Sequence, residues 1–274
     1  MTTNNKTLKT NLLVRYPLIS FFALSYILFI FALMIIGIII SLTTISPFVM
    51  SLLIAFGSWT PNLAAIIITG INGGKAEVKK LFAGWLKWRV NLWWYVFSLA
   101  PIVVALGSAG LYALSGKPAP GIESQLTIGV LVSMLFFHTI QGATGEELGW
   151  RGFALPRLQE RFSSLVSALI LGLVISGWHG LLHLVSPIGI PEWQFWLMLI
   201  SYSVIITWAY NKTGGSILIA TIFHFAFNFG LELVATRFGL VPLENLVAIL
   251  TAIYTALAVL LVLITGTNLS KKKI

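Results

Sequence analysis

The stretch LTIGVLVSMLFFHTIQGATGEELGWR, residues 126–151, decides how this chain folds. An apolar run from Leu126 to Ile140 leads into two adjacent carboxylates, Glu146 and Glu147, and then into Arg151; another apolar run starts at Leu165. The chain holds only 8 acidic residues and no Asp, so a neighbouring pair at a membrane edge needs a reason. Ionisable groups at membrane depth are costly, and they persist where they face a protein interior or a watery cavity with a task to perform.

The rest of the chain extends the same pattern. Of 274 residues, 58% are hydrophobic and 9% charged, against roughly 25% charged in an ordinary soluble domain; the mean hydropathy is +0.95. Lipid is the natural solvent of such a sequence, and there only helices and closed barrels satisfy their own backbone groups. The apolar runs are about 20 residues long and do not alternate as barrel strands do, so an all-α polytopic membrane helix bundle is expected. Eight spans are predicted, at Tyr16–Leu42, Pro47–Gly70, Asn91–Ser115, Gln125–Gly145, Ser164–Val185, Trp193–Tyr210, Gly215–Val234 and Pro242–Thr265. The first is too long for a cleaved signal peptide and is read as a retained anchor. With no cysteine in the chain, disulfides, a thiolate nucleophile and a zinc–thiolate centre are excluded.

The net charge of +9 raises the question of nucleic acid, but its placement argues for lipid. With a cytoplasmic N-terminus, fifteen of the seventeen basic residues fall on the inner side and only Lys117 and Arg237 outside. That asymmetry predicts a multi-pass protein of the cell membrane with both termini cytoplasmic, touching anionic lipid and no nucleic acid. Residues 75–90, KAEVKKLFAGWLKWRV, mix basic and bulky apolar side chains and predict an amphipathic helix on the inner leaflet. The tryptophans, Trp93, Trp94, Trp193 and Trp196 among them, read as interfacial anchors. No repeat or low-complexity tract divides the chain, so one membrane domain over 1–274 is expected, with its chemistry in a core over 126–231.

Few polar residues in the spans call for explanation. On a helix advancing about 100° per residue, Glu147 and Arg151 stand about 40° apart and can pair, while Glu146 points about 100° away from Glu147. His224 and Asn228 share one face, as do His179 and His183. Glu232 prolongs the His224–Asn228 stripe toward the outer surface, and His138 reads as a packing or hydrogen-bonding residue. Taken singly, each has a structural explanation, such as a braced ion pair or helix–helix hydrogen bonding. Taken together, they offer a base, orienting groups and an oxyanion donor from separate elements.

In this order, Glu146-Glu147-xxx-Arg151, His179 and His224-xxx-Asn228 resemble the three motifs EExxxR, FxxxH and HxxxN of the CPBP intramembrane proteases. That family includes the type II CAAX prenyl endopeptidases and bacteriocin-processing or immunity proteins. The family's Phe, four residues before the first motif histidine, is Ile175 here. The resemblance implies an intramembrane endopeptidase acting on a peptide or protein. Glu146 would activate a water with the help of His179, His224 and Asn228 would stabilise the oxyanion, and Glu147 and Arg151 would brace the site. It also leaves open zinc held by Glu146, His179 and His224, although the HExxH helix signature is absent and the same residues serve a metal-free glutamate mechanism. Two other functions compete: a non-catalytic immunity protein that sequesters a toxin, and a proton-relaying transporter, the latter disfavoured by the lack of repeated halves. At 1.5 Å per residue Glu146 stands about 13 Å above Leu155, His224 about 14 Å above Gly215, but His179 over about 20 Å above Ser164, a mismatch of depth.

Overall fold

The computed structural model describes residues 12–121, 126–185 and 189–270, with the side chains of 47 and 183–185 excepted. His183, and the basic residues Lys6, Lys9, Lys271, Lys272 and Lys273, therefore lie outside what can be compared. After one helical turn at Leu12–Arg15, eight long helical elements follow. Seven combine the length and apolarity to cross a bilayer: α1 Pro17–Leu42, α2 Phe48–Phe82, α3 Leu92–Leu114, α4 Ile128–Gln159, α5 from Ser164, α7 Ile217–Arg237 and α8 Leu243–Thr265. The remaining one, α6 Glu192–Lys212, is 21 residues long but less apolar, and it is buried over most of its second half. No strand occurs among the described residues. The chain is an all-α, multi-pass membrane bundle, as expected.

Local chemistry sets the helix starts. Ser46, Asn91, Thr127 and Ser216 each accept a hydrogen bond from a backbone N–H two or three residues on, satisfying donors that a helix start leaves open. Proline sets the breaks: α2 is interrupted at Trp59 before Pro61, and α3 at Leu99 before Pro101. Outward-facing Ile19, Ile27, Phe31, Met34 and Ile38 leave α1 apolar on its exposed side, a surface that only lipid covers without cost.

α6 lies between α5 and α8, α7 packs against α3, and α1 packs against α2. The connections at one end of the bundle are tied together. Gln159 donates to Asn211 (3.1 Å), Leu165 N–H to the Thr267 carbonyl (2.9 Å), and Lys87 to the Gly214 carbonyl (2.7 Å). That end carries Lys87, Arg161 and Lys212, whereas Gly121 N–H bonds the Gly239 carbonyl at the other end, near Lys117 and Arg237. Lys87, Arg161 and Lys212 thus share one end and Lys117 and Arg237 the other, whereas Arg151, expected at the inner edge, is buried within α4.

Three expectations need correction. The fourth span does not stop at Gly145: α4 runs on to Gln159, through five- and seven-residue π-helical segments at Thr139–Ala143 and Leu148–Ala154. The glutamates are therefore inside the element and not at its edge, because their partners lie within the bundle. The amphipathic helix over 75–90 is shorter than expected. It continues α2 beyond a kink at Gly74 (φ 67°) and ends at Phe82, where turns and an extended segment take over. Tryptophan is not uniformly an anchor: Trp93 and Trp193 are exposed, but Trp150 and Trp178 are buried to 0% and 2%.

The π segments loosen α4's own hydrogen bonding, and α2 supplies the replacements. Trp59 Nε1 donates to the Ile140 carbonyl (2.8 Å), Asn62 Nδ2 to the Thr144 carbonyl (2.6 Å), and Gly149 N–H to Asn62 Oδ1 (2.9 Å). Gly149 permits this approach, since a Cβ there would lie 2.7 Å from the Pro61 backbone. Asn62, 1% exposed, satisfies two buried backbone groups at once. Asn62→Ala is expected to cost about 1–3 kcal/mol for each group left unpaired, read as a lower thermal midpoint of the protein in detergent; an unchanged midpoint would show that α4 does not depend on this clasp.

Candidate active site

α4 presents its two carboxylates to different partners. Glu147 is fully buried, and its Oε1 accepts from Arg151 NH1 (2.9 Å) and faces His224 Nδ1 at 2.7 Å. The Arg151 partner is the one that the 40° separation predicts, and His224 reaches the same oxygen from α7. With Nδ1–H given to Glu147, the imidazole ring is fixed and Nε2 is left to face the opposite way.

That opposite side is the backbone of Gly142. A Cβ placed there would lie 2.7 Å from Asn228 Nδ2, 3.0 Å from His224 Nε2 and 3.4 Å from Glu146 Oε1. Three polar groups from α4 and α7 thus surround one point that is open only because residue 142 has no side chain. The other carboxylate oxygen of Glu146, Oε2, accepts from Trp150 Nε1 at 3.1 Å. Trp150 is held in turn by Phe21 of α1 (5.5 Å) and by Trp178 of α5 (6.1 Å), both edge to face. Glu146 is 2% exposed, aimed at the Gly142 point by an indole that the core locks in place.

His179 takes a different position. Its Nδ1 lies 3.0 Å from the carbonyl of Ile175, and its ring packs edge-on against Trp178 (4.8 Å) and Phe195 (6.2 Å). Trp178 meets Trp150 across the helices and so links His179's turn to the partner of Glu146. Ile175, in place of the family's Phe, is a buried core residue. Among the described residues no three His, Asp or Glu side chains gather at metal-ligand spacing.

The remaining polar residues of the stripe form a second cluster. Glu232 lies between His138 (2.6 Å) and Arg237 (2.8 Å), beside a cavity, so both His138 and Glu232 have the surroundings their positions suggested. Sequence reasoning singled out neither Gly142 nor Asn62. An Asn inside an apolar span carries the same signal that drew attention to Asn228; the glycine carries none until α7 is placed against it. Trp150 was legible only as one more anchor.

Residues 127–230 match a family model described as type II CAAX prenyl endopeptidase Rce1-like. Over 155 residues the chain is 34% identical to "CAAX prenyl protease 2" of Methanococcus maripaludis, covering 51% of this chain and 55% of that protein. The chain thus spans about half the length of this relative. The matched segment contains the EExxxR, IxxxH and HxxxN positions, with Glu146, His224 and Asn228 around one point, and over this segment the chain is similar to the type II CAAX prenyl endopeptidases.

Proposed function

We propose that this protein is an intramembrane endopeptidase, a reading carried by the convergence of Glu146, His224 and Asn228 on the space beside Gly142. A water held there by Glu146 Oε1 loses its proton to the carboxylate as its oxygen attacks the scissile carbonyl. Asn228 Nδ2–H and the protonated His224 Nε2–H donate to the oxyanion that forms, and Glu147 behind the ring balances its charge. Collapse of the tetrahedral intermediate breaks the C–N bond, and Glu146 returns its proton to the leaving amine. A donor of this kind is worth about 2.7–4 kcal/mol of barrier. His179 is assigned the positioning of the water or the substrate, Glu147 and Arg151 the bracing of the site. No step is routed through a metal. The basic end of the bundle is assigned to the cytoplasm, with both termini on that side.

The Methanococcus relative is named for prenylated CAAX substrates, so a farnesylated C-terminal peptide is the first probe. The full chain in liposomes is expected to release a shorter peptide, detected by mass spectrometry. Saturable binding of membrane peptides without cleavage would favour the sequestering, non-catalytic alternative instead. Dialysis against 1,10-phenanthroline is expected to leave the rate within about twofold. Loss of activity that zinc restores would assign a metal to Glu146, His179 and His224 after a rearrangement.

A further inference from the structure

One helical turn from the reactive groups, at the end of the bundle that carries Arg237, lies a cavity of about 290 Å³. Its walls include Met134, Phe137, His138 and Gln141 of α4 and Glu232 and Arg237 of α7. The register joins it to the site. On α7, Glu232 stands one turn beyond Asn228, itself one turn beyond His224; on α4, His138 stands one turn before Gly142. With a helical pitch of about 5.4 Å, a peptide whose scissile carbonyl sits at Gly142 has its flank, one or two residues away, in this cavity.

The charges show what that flank carries. Arg237 grips a single carboxylate oxygen, Glu232 Oε1, through both Nε (2.8 Å) and NH2 (2.5 Å), while His138 holds Oε2 at 2.6 Å. Among the described residues lining the cavity, Glu232 is the one acid, set against two groups that can be cationic. The cluster is already a carboxylate-binding site, filled by the protein's own side chain. Side-chain exposures of 14–27% leave all three within reach of water and of an incoming chain.

We propose that this cavity is a subsite for a carboxylate on the substrate, with Arg237 as the group that binds it and Glu232 as the internal stand-in it displaces. The inference rests on the peptidase reading above, and it assigns Arg237 to specificity and not to chemistry. The carboxylate comes either from a chain terminus or from an Asp or Glu side chain, and both are recognised by the same charge-assisted, two-pronged guanidinium contact.

The test measures binding and not cleavage, so it stands or falls separately from the peptidase assignment. The full chain in detergent, carrying Glu146→Gln so that peptide is not consumed, is titrated by fluorescence anisotropy with a labelled apolar hexapeptide. Four forms are used: C-terminal acid or amide, each with one internal Glu or Gln. A form bearing the recognised carboxylate is expected to bind about tenfold more tightly than the fully uncharged one, and the pattern across the four forms identifies terminus or side chain. Adding Arg237→Gln is expected to shrink that gap below about twofold. Adding Glu232→Gln frees Arg237 and is expected to tighten carboxylate binding about threefold or more, an effect that misfolding does not mimic. The proposal is overturned if all four forms bind alike or none binds. It is also overturned if Arg237→Gln keeps the gap, or if Glu232→Gln weakens binding in parallel with Arg237→Gln, as a purely structural cluster would.

Discussion

Glu146→Gln is expected to lower kcat by about 10²–10⁴-fold, the range set by removing a positioned general base, while the protein inserts and melts as before. Gln keeps an acceptor for Trp150 Nε1, which lies 3.1 Å from the native carboxylate, so the indole and the core behind it are undisturbed. Its neighbour gives the opposite outcome. Glu147 is 0% exposed and holds both Arg151 and His224 on one oxygen. Glu147→Ala strands the buried guanidinium of Arg151, and breaking such a pair from one side costs about 3–5 kcal/mol. The expected result is a large loss of folded protein. Rates on a reconstituted substrate and melting curves in detergent separate the two. A Glu146→Gln protein that retains more than about a tenth of the native rate would remove Glu146 from the chemistry.

Gly142→Ala carries the second large effect, and it comes from one methyl group. The added carbon would stand 2.7 Å from Asn228 Nδ2 and 3.0 Å from His224 Nε2, in the space that the proposed mechanism gives to the attacking water and the scissile carbonyl. Either those side chains retreat or the space is filled, and a displacement near 1 Å costs about 10² in rate. His224 remains tied to Glu147 through Nδ1 at 2.7 Å, so the helices stay docked and the loss is expected in activity with a small change in melting temperature. Full activity in Gly142→Ala would mean that the Gly142 point is not where the reaction occurs.

These two substitutions mark what was legible in different ways. Glu146 stands out in the bare sequence because a carboxylate in an apolar setting is costly without a use. The Glu147–Arg151 pair follows from helical spacing alone, and the structure forms it. The continuation of α4 past the glutamates was not legible, since apolar periodicity fails where polar residues are buried by tertiary partners. The clasp by Asn62 of the Thr144 carbonyl spans 82 residues of sequence, and the meeting of His224 with Glu147 spans 77; no local pattern encodes either.

By itself the sequence determined an all-helical membrane bundle, most of its helix starts to within a few residues, though not the ends of the second and fourth spans nor the lower apolarity of the sixth, and the short roster of polar side chains worth examining. Each follows from properties local to a segment: the length of an apolar run, the absence of alternation, the cost of charge in lipid. Tertiary structure alone decided that His224 turns its Nε2 toward Glu146, that Trp150 aims that carboxylate and is no anchor, and that a glycine keeps the meeting point open. Those facts depend on how one helix face meets another. Side-chain contacts between helices are fixed by the packing of the whole bundle, which no single span contains.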